Sequence, residues 1–333
     1  MFLEPQIVPV TPLTTQPSGG TDPVVPDACA DLIFPDGPMT TYAIVDAALL
    51  PAFDGADDAG GLRASCLFNA AAAETLGDCG PYLVQLEPGH SFVGALFTAG
   101  QEPWVHWDRS AYILVQSRAS FDAVRAHFRR FTKISDRDGA WFFLRFYMPE
   151  AMDEIMAGLA QSPAHLARWY QISGADPIER YIVPRPDAGT LHIHGWDSAQ
   201  HAQLTAVTPA PYLLDEQYEA ILRRIRDLRL VRRLTSAILH DYENLHELDA
   251  DQTRALIHAG LRGARAEGLR TELAMGQFAA AGFLMGTPMT RAHLERVPGY
   301  CDRSAHENRR TRALLDHAEA AAARRLQSTQ GAA

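Results

Sequence analysis

The hydrophobic pattern changes character twice along the chain, which divides its 333 residues into three segments. Residues 1–40 contain eight prolines and show no hydrophobic periodicity, so we predict an extended, proline-rich leader that folding does not require. Residues 41–205 alternate short apolar runs with helical stretches, whereas residues 211–330 show helical periodicity throughout. The sequence therefore predicts a mixed α/β (α+β) amino-terminal lobe with a central sheet, followed by an all-α carboxy-terminal lobe.

Seven short apolar runs in the amino-terminal lobe are typical of strands. They are Thr41–Leu49, Ser65–Phe68, Pro81–Leu86, Tyr112–Gln116, Trp141–Tyr147, Arg180–Val183 and Thr190–His194. The run Trp141–Tyr147 is largely apolar on both of its alternating faces, so we expect it to be a central strand. An aspartate in place of Phe143 would then be a buried, unpaired charge and should destroy the lobe.

Helical spacing marks the intervening stretches and the whole carboxy-terminal lobe. Ser120 is suited to cap a helix whose apolar side chains begin at Phe121, and Pro149 is suited to begin the next one. From Tyr218 to Ile238, apolar residues recur every three or four positions, which predicts a long amphipathic helix. Further helices are expected beyond it.

Charge and length limit the classes of protein that fit. The formal net charge is −10, but residues 1–62 carry nine acidic and no basic side chains, so the remainder is nearly neutral. A neutral body gives no electrostatic basis for binding nucleic acid. The chain has no basic n-region and no apolar stretch of roughly 18 residues, so we expect a cytoplasmic protein that does not bind membranes.

The sequence shows no recognised catalytic motif, since a phosphate-binding loop, a nucleophile elbow and an HExxH zinc motif are all missing. His192 and His194 fall on one strand face, and His201 is near enough in sequence to complete a hypothetical metal site. An HxH pair is unspecific, however, and hydrogen-bonded or exposed histidines are the commoner explanation. We therefore predict no catalytic residue, no metal and no cofactor.

Four arginines fall mostly off the apolar stripe of the long carboxy-terminal helix: Arg223, Arg226, Arg229 and Arg233. Two interpretations fit this arrangement. An amphipathic surface helix needs a solvated polar face in any case. Alternatively, the arginines form a docking face for an acidic partner segment, where charge improves orientation and association rate. These four arginines are therefore candidate partner-binding positions.

The chain also contains five short motifs in a fixed order, and together they resemble those of a known family. They comprise the stretches 42–48 (YAIVDAA), 66–68 (CLF), 80–86 (GPYLVQL), 112–117 (YILVQS) and 144–149 (LRFYMP). Together these resemble the type VI secretion adaptor, or effector-chaperone, family, a domain of unknown function associated with genes for the VgrG spike and a toxic effector. Six residues carry the structural part of the motif: Asp46, Pro81, Tyr82, Arg145, Tyr147 and Pro149.

The resemblance covers residues 41–160 and implies a non-catalytic adaptor that binds an effector cargo and the VgrG spike. One position departs from the family, which usually has Arg-Phe-Tyr-Asp-Pro-Arg where this chain has Met148 before Pro149 and Glu150 after it. Methionine cannot cap a helix as aspartate does, a loss of about 1 kcal/mol. Two other functions stay open: a metal-dependent hydrolase toxin that uses His192 and His194, and an immunity protein that blocks a toxin.

Overall fold

The computed structural model describes residues 4–15, 24–50, 53, 61–196, 203–242 and 249–330. The chain forms two compact units, Met1–Ile225 and Arg226–Ala333. A mixed α+β amino-terminal region and a helical carboxy-terminal region are confirmed. The boundary between the units falls inside the long helix, whereas the sequence predicted it near residue 211. In the described ranges, no helix is both long and apolar enough to cross a membrane.

The first unit is built on an antiparallel sheet of seven strands in the order β1-β9-β8-β5-β2-β4-β3. The strands of the unit are β1 Gln6–Pro9, β2 Thr40–Asp46, β3 Ala64–Cys66, β4 Pro81–Gln85, β5 Tyr112–Ser117, β6 Lys133–Ser135, β7 Trp141–Phe143, β8 Ile178–Arg185 and β9 Thr190–Gly195. The central strands β2 and β5 are buried along almost their whole length. Strands β6 and β7 form a separate two-stranded sheet.

Helices and the leader cover the two faces of the large sheet. The helices of the first unit are α1 Ala30–Ile33, α2 Ala70–Leu76, α3 Ser91–Phe97, α4 Phe121–Arg129, α5 Pro149–Leu159 and α6 Pro163–Tyr170. Alternate residues of β2 serve two cores, since Tyr42 and Ile44 pack with α4, α5 and α6. Ala43 and Val45 pack with α3 and with the leader on the opposite face. Side-chain alternation along the strand therefore supplies both cores.

The described part of the leader belongs to the first unit, which differs from the expectation of a dispensable segment. Strand β1 pairs with β9. Five leader residues are buried in the second core: Val10, Val24, Val25, Cys29 and Ile33. Gln116 of β5 donates a hydrogen bond to the carbonyl of Leu32 (2.7 Å). Periodicity did not reveal these positions because they lie in short groups between prolines, too short to form a periodic run.

The predicted central strand Trp141–Tyr147 is wrong. Strand β7 ends at Phe143 and belongs to the small sheet, with Trp141, Phe142 and Phe143 each about half exposed. The buried residues of this run come after it, since Phe146 is fully buried and stacks on Phe128. Aromatic content on both faces is thus not a sign of two-sided burial here.

The second unit is helical. Its elements are the later part of α7 Glu216–Asp241, then α8 Ala250–Ala266, α9 Glu272–Met285, α10 Arg291–Glu295, α11 Pro298–Cys301 and α12 Glu307–Gln330. Helix α9 is central, because its small buried residues let α8 and α12 approach on either side. A Cβ on Gly260 of α8 would lie 2.8 Å from the Cα of Ala279, so this crossing requires glycine. Gly286 ends α9 in the left-handed region, which glycine adopts without strain.

We predict that the leader contributes to stability. Ile33→Ala removes a fully buried side chain and is expected to lower the free energy of unfolding by about 2–4 kcal/mol. Ile7→Ala is the matched control, because Ile7 is 57% exposed and its loss should cost less than about 0.5 kcal/mol. Urea denaturation followed by circular dichroism measures both. Equal midpoints for the two variants would contradict the burial of the leader.

We also predict that Phe143→Asp leaves the first unit folded, because the new carboxylate stays in water. Phe146→Asp places a charge in the core and is expected to cost about 4 kcal/mol or more. Thermal unfolding of the two purified variants compares them directly. Unfolding of the Phe143→Asp variant would contradict this prediction and would indicate that β7 is buried in the core.

Candidate functional site

The six motif residues are brought together at one end of the large sheet, which we call the motif corner: Asp46, Pro81, Tyr82, Arg145, Tyr147 and Pro149. Asp46 is the last residue of β2 and lies opposite Pro81, the first residue of β4. Tyr82 follows and lies opposite Val45. Motifs that are far apart in sequence therefore meet because β2 and β4 are antiparallel neighbours.

An ion pair closes the motif corner. The guanidinium of Arg145 donates a hydrogen bond to Oδ2 of Asp46, whose side chain is fully buried. Oδ1 of Asp46 accepts from the backbone N–H of Ala48 (3.2 Å). Burial by itself would lower the pKa of Arg145, but the hydrogen bond and the charge of Asp46 outweigh it and raise that pKa. Internal donors therefore engage both carboxylate oxygens of Asp46, which ties the end of β2 to Arg145.

The chain turns from this ion pair directly into α5. Tyr147 is buried in the first core. Met148 is the N-cap of α5 and, as the sequence predicts, makes no side-chain hydrogen bond to the cap. Pro149 occupies the first turn, where its missing N–H leaves one donor fewer to satisfy. Proline thus reduces the cost of replacing the usual aspartate.

A group of aromatic side chains lies beside the motif corner on residues 133–143, which we call the aromatic hairpin: strands β6 and β7 with their connecting turn. The rings of Phe143 and Phe68 lie 5.5 Å apart between centroids. Phe68 in turn packs on Gly80, where a Cβ would approach its ring to 3.0 Å. Gly80 directly precedes Pro81, so the hairpin and the motif corner form one continuous region.

Basic side chains lie near the aromatic rings and near Cys66. Lys133 lies over the ring of Trp141, with its Nζ 4.1 Å from the centroid. Burial raises the pKa of Cys66 at the end of β3, and the positive charges of Arg125 and Arg129 oppose that rise. These arginines on α4 therefore lie close enough to Cys66 to influence it. One cation, Lys133, therefore lies directly on the exposed rings.

His192 and His194 point to the same face of β9, as predicted, and both meet Asp153 of α5. Nδ1 of His192 lies 3.0 Å from Oδ2 of Asp153, and Nε2 of His194 lies 2.8 Å from Oδ1. Arg185 adds a contact of 2.8 Å to Oδ2. Burial would raise the pKa of Asp153, but hydrogen bonds from the two histidines and Arg185 hold it well below its usual range. The histidines are thus engaged in a buried network that ties α5 to β8 and β9.

His201, the third member of the hypothetical metal site, lies outside the described residues. Among the residues whose positions are described, no group of three or more histidine, cysteine, aspartate or glutamate side chains could hold a metal ion. Asp153 was not singled out from the sequence. No local pattern in the sequence marks it, because its partners His192, His194 and Arg185 come from other elements.

The four candidate arginines of α7 differ in their surroundings. Arg223 and Arg226 are exposed. Arg233 is exposed too and pairs with Glu272 (2.5 Å). Arg229 is half-buried. The structure therefore leaves Arg223 and Arg226 as the pair most available to a partner.

Comparison with known proteins gives one match. The family model described as Domain of unknown function (DUF4123) matches residues 41–176. The chain is similar to this family over β2 to α6, which includes the whole motif corner and the aromatic hairpin. No curated protein and no solved structure matches the chain.

We predict that the ion pair stabilises the motif corner. Arg145→Met leaves the buried Asp46 carboxylate without its cation and is expected to lower the free energy of unfolding by about 1–3 kcal/mol. Arg63→Met is the matched control, since its ion pair with Asp122 is exposed at both ends and should be worth less than about 1 kcal/mol. Denaturant unfolding gives both values. Similar losses in the two variants would show that burial of Asp46 adds nothing to the pair.

Proposed function

We propose that this chain is a non-catalytic adaptor that binds a type VI secretion effector in the cytoplasm and helps to load it onto the VgrG spike. The observation that carries the proposal is the ordered motif series that resembles the adaptor family, whose six structural residues meet in the motif corner. The stretch that matches the family model, residues 41–176, contains the stretch of the resemblance, residues 41–160.

The surface of the chain supports a binding role. The aromatic hairpin exposes three large aromatic side chains in sequence. Arg223 and Arg226 add an exposed basic pair on α7. Exposed apolar groups and arginines are typical of protein-binding surfaces. The buried carboxylates of Asp46 and Asp153 are fully engaged by internal donors, which favours structural roles for both residues.

Deletion of the gene tests the proposal. Export of one effector is expected to stop, while secretion of the shared tube protein continues, because only the cargo needs its adaptor. Complementation with the wild-type chain should restore export. Complementation with Arg223→Glu/Arg226→Glu should restore less, since reversal of exposed charge weakens a contact with an acidic partner. Immunoblots of culture supernatants measure both proteins.

The matched control is Arg309→Glu/Arg324→Glu, which reverses two exposed arginines on α12 and should restore export fully. If this control and the α7 variant behave alike, the arginines of α7 have no special role. Unchanged export of every effector in the deletion strain would overturn the adaptor assignment. Killing of the deletion strain by the toxin of a sister strain would then indicate an immunity protein. Toxicity of the chain itself would indicate a hydrolase toxin.

A further inference from the structure

We infer that the outer edge of β7 binds an extended, acidic peptide segment of a partner protein, which adds to the aromatic hairpin as a third strand. The inference stands on the geometry of the hairpin and does not depend on the proposed function. It assigns a partner chemistry to the exposed residues Trp141 and Phe143. Four properties of the hairpin carry it: its backbone edge, its rigid turn, its aromatic face and its lysine.

The backbone of β7 has an open edge. Hydrogen bonds from Leu144 N to Thr132 O (3.0 Å) and from Asp136 N to Ala140 O (2.8 Å) fix which residues of the hairpin bond across it. By the alternation of an antiparallel pair, Phe142 faces β6, whereas Trp141 and Phe143 direct their N–H and C=O groups outward. In the described ranges, no hydrogen bond reaches these four groups.

The two edges of the hairpin differ. The outer edge of β6 is occupied, because Ser135 O accepts a hydrogen bond from Leu214 N (2.8 Å) and Ser135 bridges to Leu213. Only the β7 side therefore remains available for pairing within the described part of this sheet. An unpaired strand edge is the element that peptide partners extend by strand addition.

The connecting turn makes this edge rigid before a partner arrives. Oδ1 of Asp136 accepts hydrogen bonds from the N–H groups of Asp138 (3.0 Å) and Ala140 (2.8 Å). Gly139 takes the positive φ of 86° that the turn requires. A preformed strand edge loses little conformational entropy on binding, which favours affinity.

One face of the hairpin presents aromatic rings next to a cation. Trp141 and Phe143 lie on the same face, with their ring centroids 5.2 Å apart, and Lys133 lies over both rings. Lys133 has no carboxylate within ion-pair distance among the residues with described positions. An incoming strand lies beside Trp141 and Phe143, so an acidic side chain on its ring face can reach the Nζ of Lys133, and apolar side chains on the same face can contact the rings.

Three other occupants fit less well. A second copy that paired β7 with β7 would offer Lys133 no carboxylate from the pairing strand, since β7 consists of Trp141, Phe142 and Phe143. A nucleic acid has no backbone that pairs with outward N–H and C=O groups. A membrane has no backbone groups that could form a hydrogen-bond ladder with this edge. An acidic peptide alone uses the edge, the rings and the lysine together.

The test uses a fluorescein-labelled octapeptide, Val-Thr-Glu-Thr-Val-Thr-Glu-Thr, in which valine and glutamate share one strand face. It is titrated with the full-length chain by fluorescence anisotropy. Saturable binding is expected that weakens with added salt. N-methylation of alternate peptide bonds should abolish binding, because it removes the donors of the new ladder. Replacement of the glutamates by lysines should weaken it about tenfold, through repulsion from Lys133.

Variants locate the site. Trp141→Ser is expected to weaken binding of the octapeptide about tenfold. Trp104→Ser is the matched control, because Trp104 is 58% exposed against 52% for Trp141 and lies outside the hairpin. Circular dichroism checks that both variants are folded, and the N-methylated peptide tests the ladder without any variant.

Several results would overturn the inference. They are the absence of saturable binding by the wild-type chain, equal binding of the N-methylated peptide, and equal loss in the two tryptophan variants. Oligothymidylate and phosphatidylglycerol vesicles are titrated in parallel. If either binds in a Trp141-dependent way while the octapeptide does not, the surface belongs to nucleic acid or to membrane instead.

Discussion

Strands β2 and β5 are buried on both faces, so the large sheet requires cover from two sides. Helices α4, α5 and α6 supply one layer. In the described residues, the other layer includes the short helix α3, buried along almost its whole length, and the leader adds Val24, Val25 and Ile33. This requirement explains why a proline-rich segment is folded into the first unit. Prolines are compatible with such a role because an extended segment that covers a sheet needs no helical hydrogen bonds.

Two buried carboxylates then hold the layers in register. Asp46 fixes the end of β2 to the turn that precedes α5, and Asp153 fixes α5 to β8 and β9. Each meets at least two donors, so the cost of burying a charge is offset locally. Because Arg145 and Asp153 lie only eight positions apart, the turn and helix between them are anchored at both ends.

Much of the fold follows from the sequence, and the failures have definite causes. The apolar runs near Tyr42, Tyr82 and Tyr112 form strands as predicted. A short apolar run between turn residues is typical of a strand. The prediction of a central strand from Trp141 was wrong because aromatic residues occur both in cores and on binding surfaces. Sequence alone does not separate the two. The buried positions of the leader were not predicted, because they form no long periodic run in the sequence. At the candidate site, the resemblance identified Asp46 and Arg145, whereas the contacts of Asp153 depend on a tertiary approach of α5 and β9 that no local pattern encodes.

The lysine of the aromatic hairpin has a practical consequence. Lys133 is the sole lysine among the 30 basic residues of the chain, and every other basic side chain is an arginine. Reagents that acylate primary amines therefore have one side-chain target in the whole protein, and it lies on the Trp141 and Phe143 rings. Among side chains, a fluorophore or photo-cross-linker attached through amine chemistry would mark this surface, without any engineered cysteine.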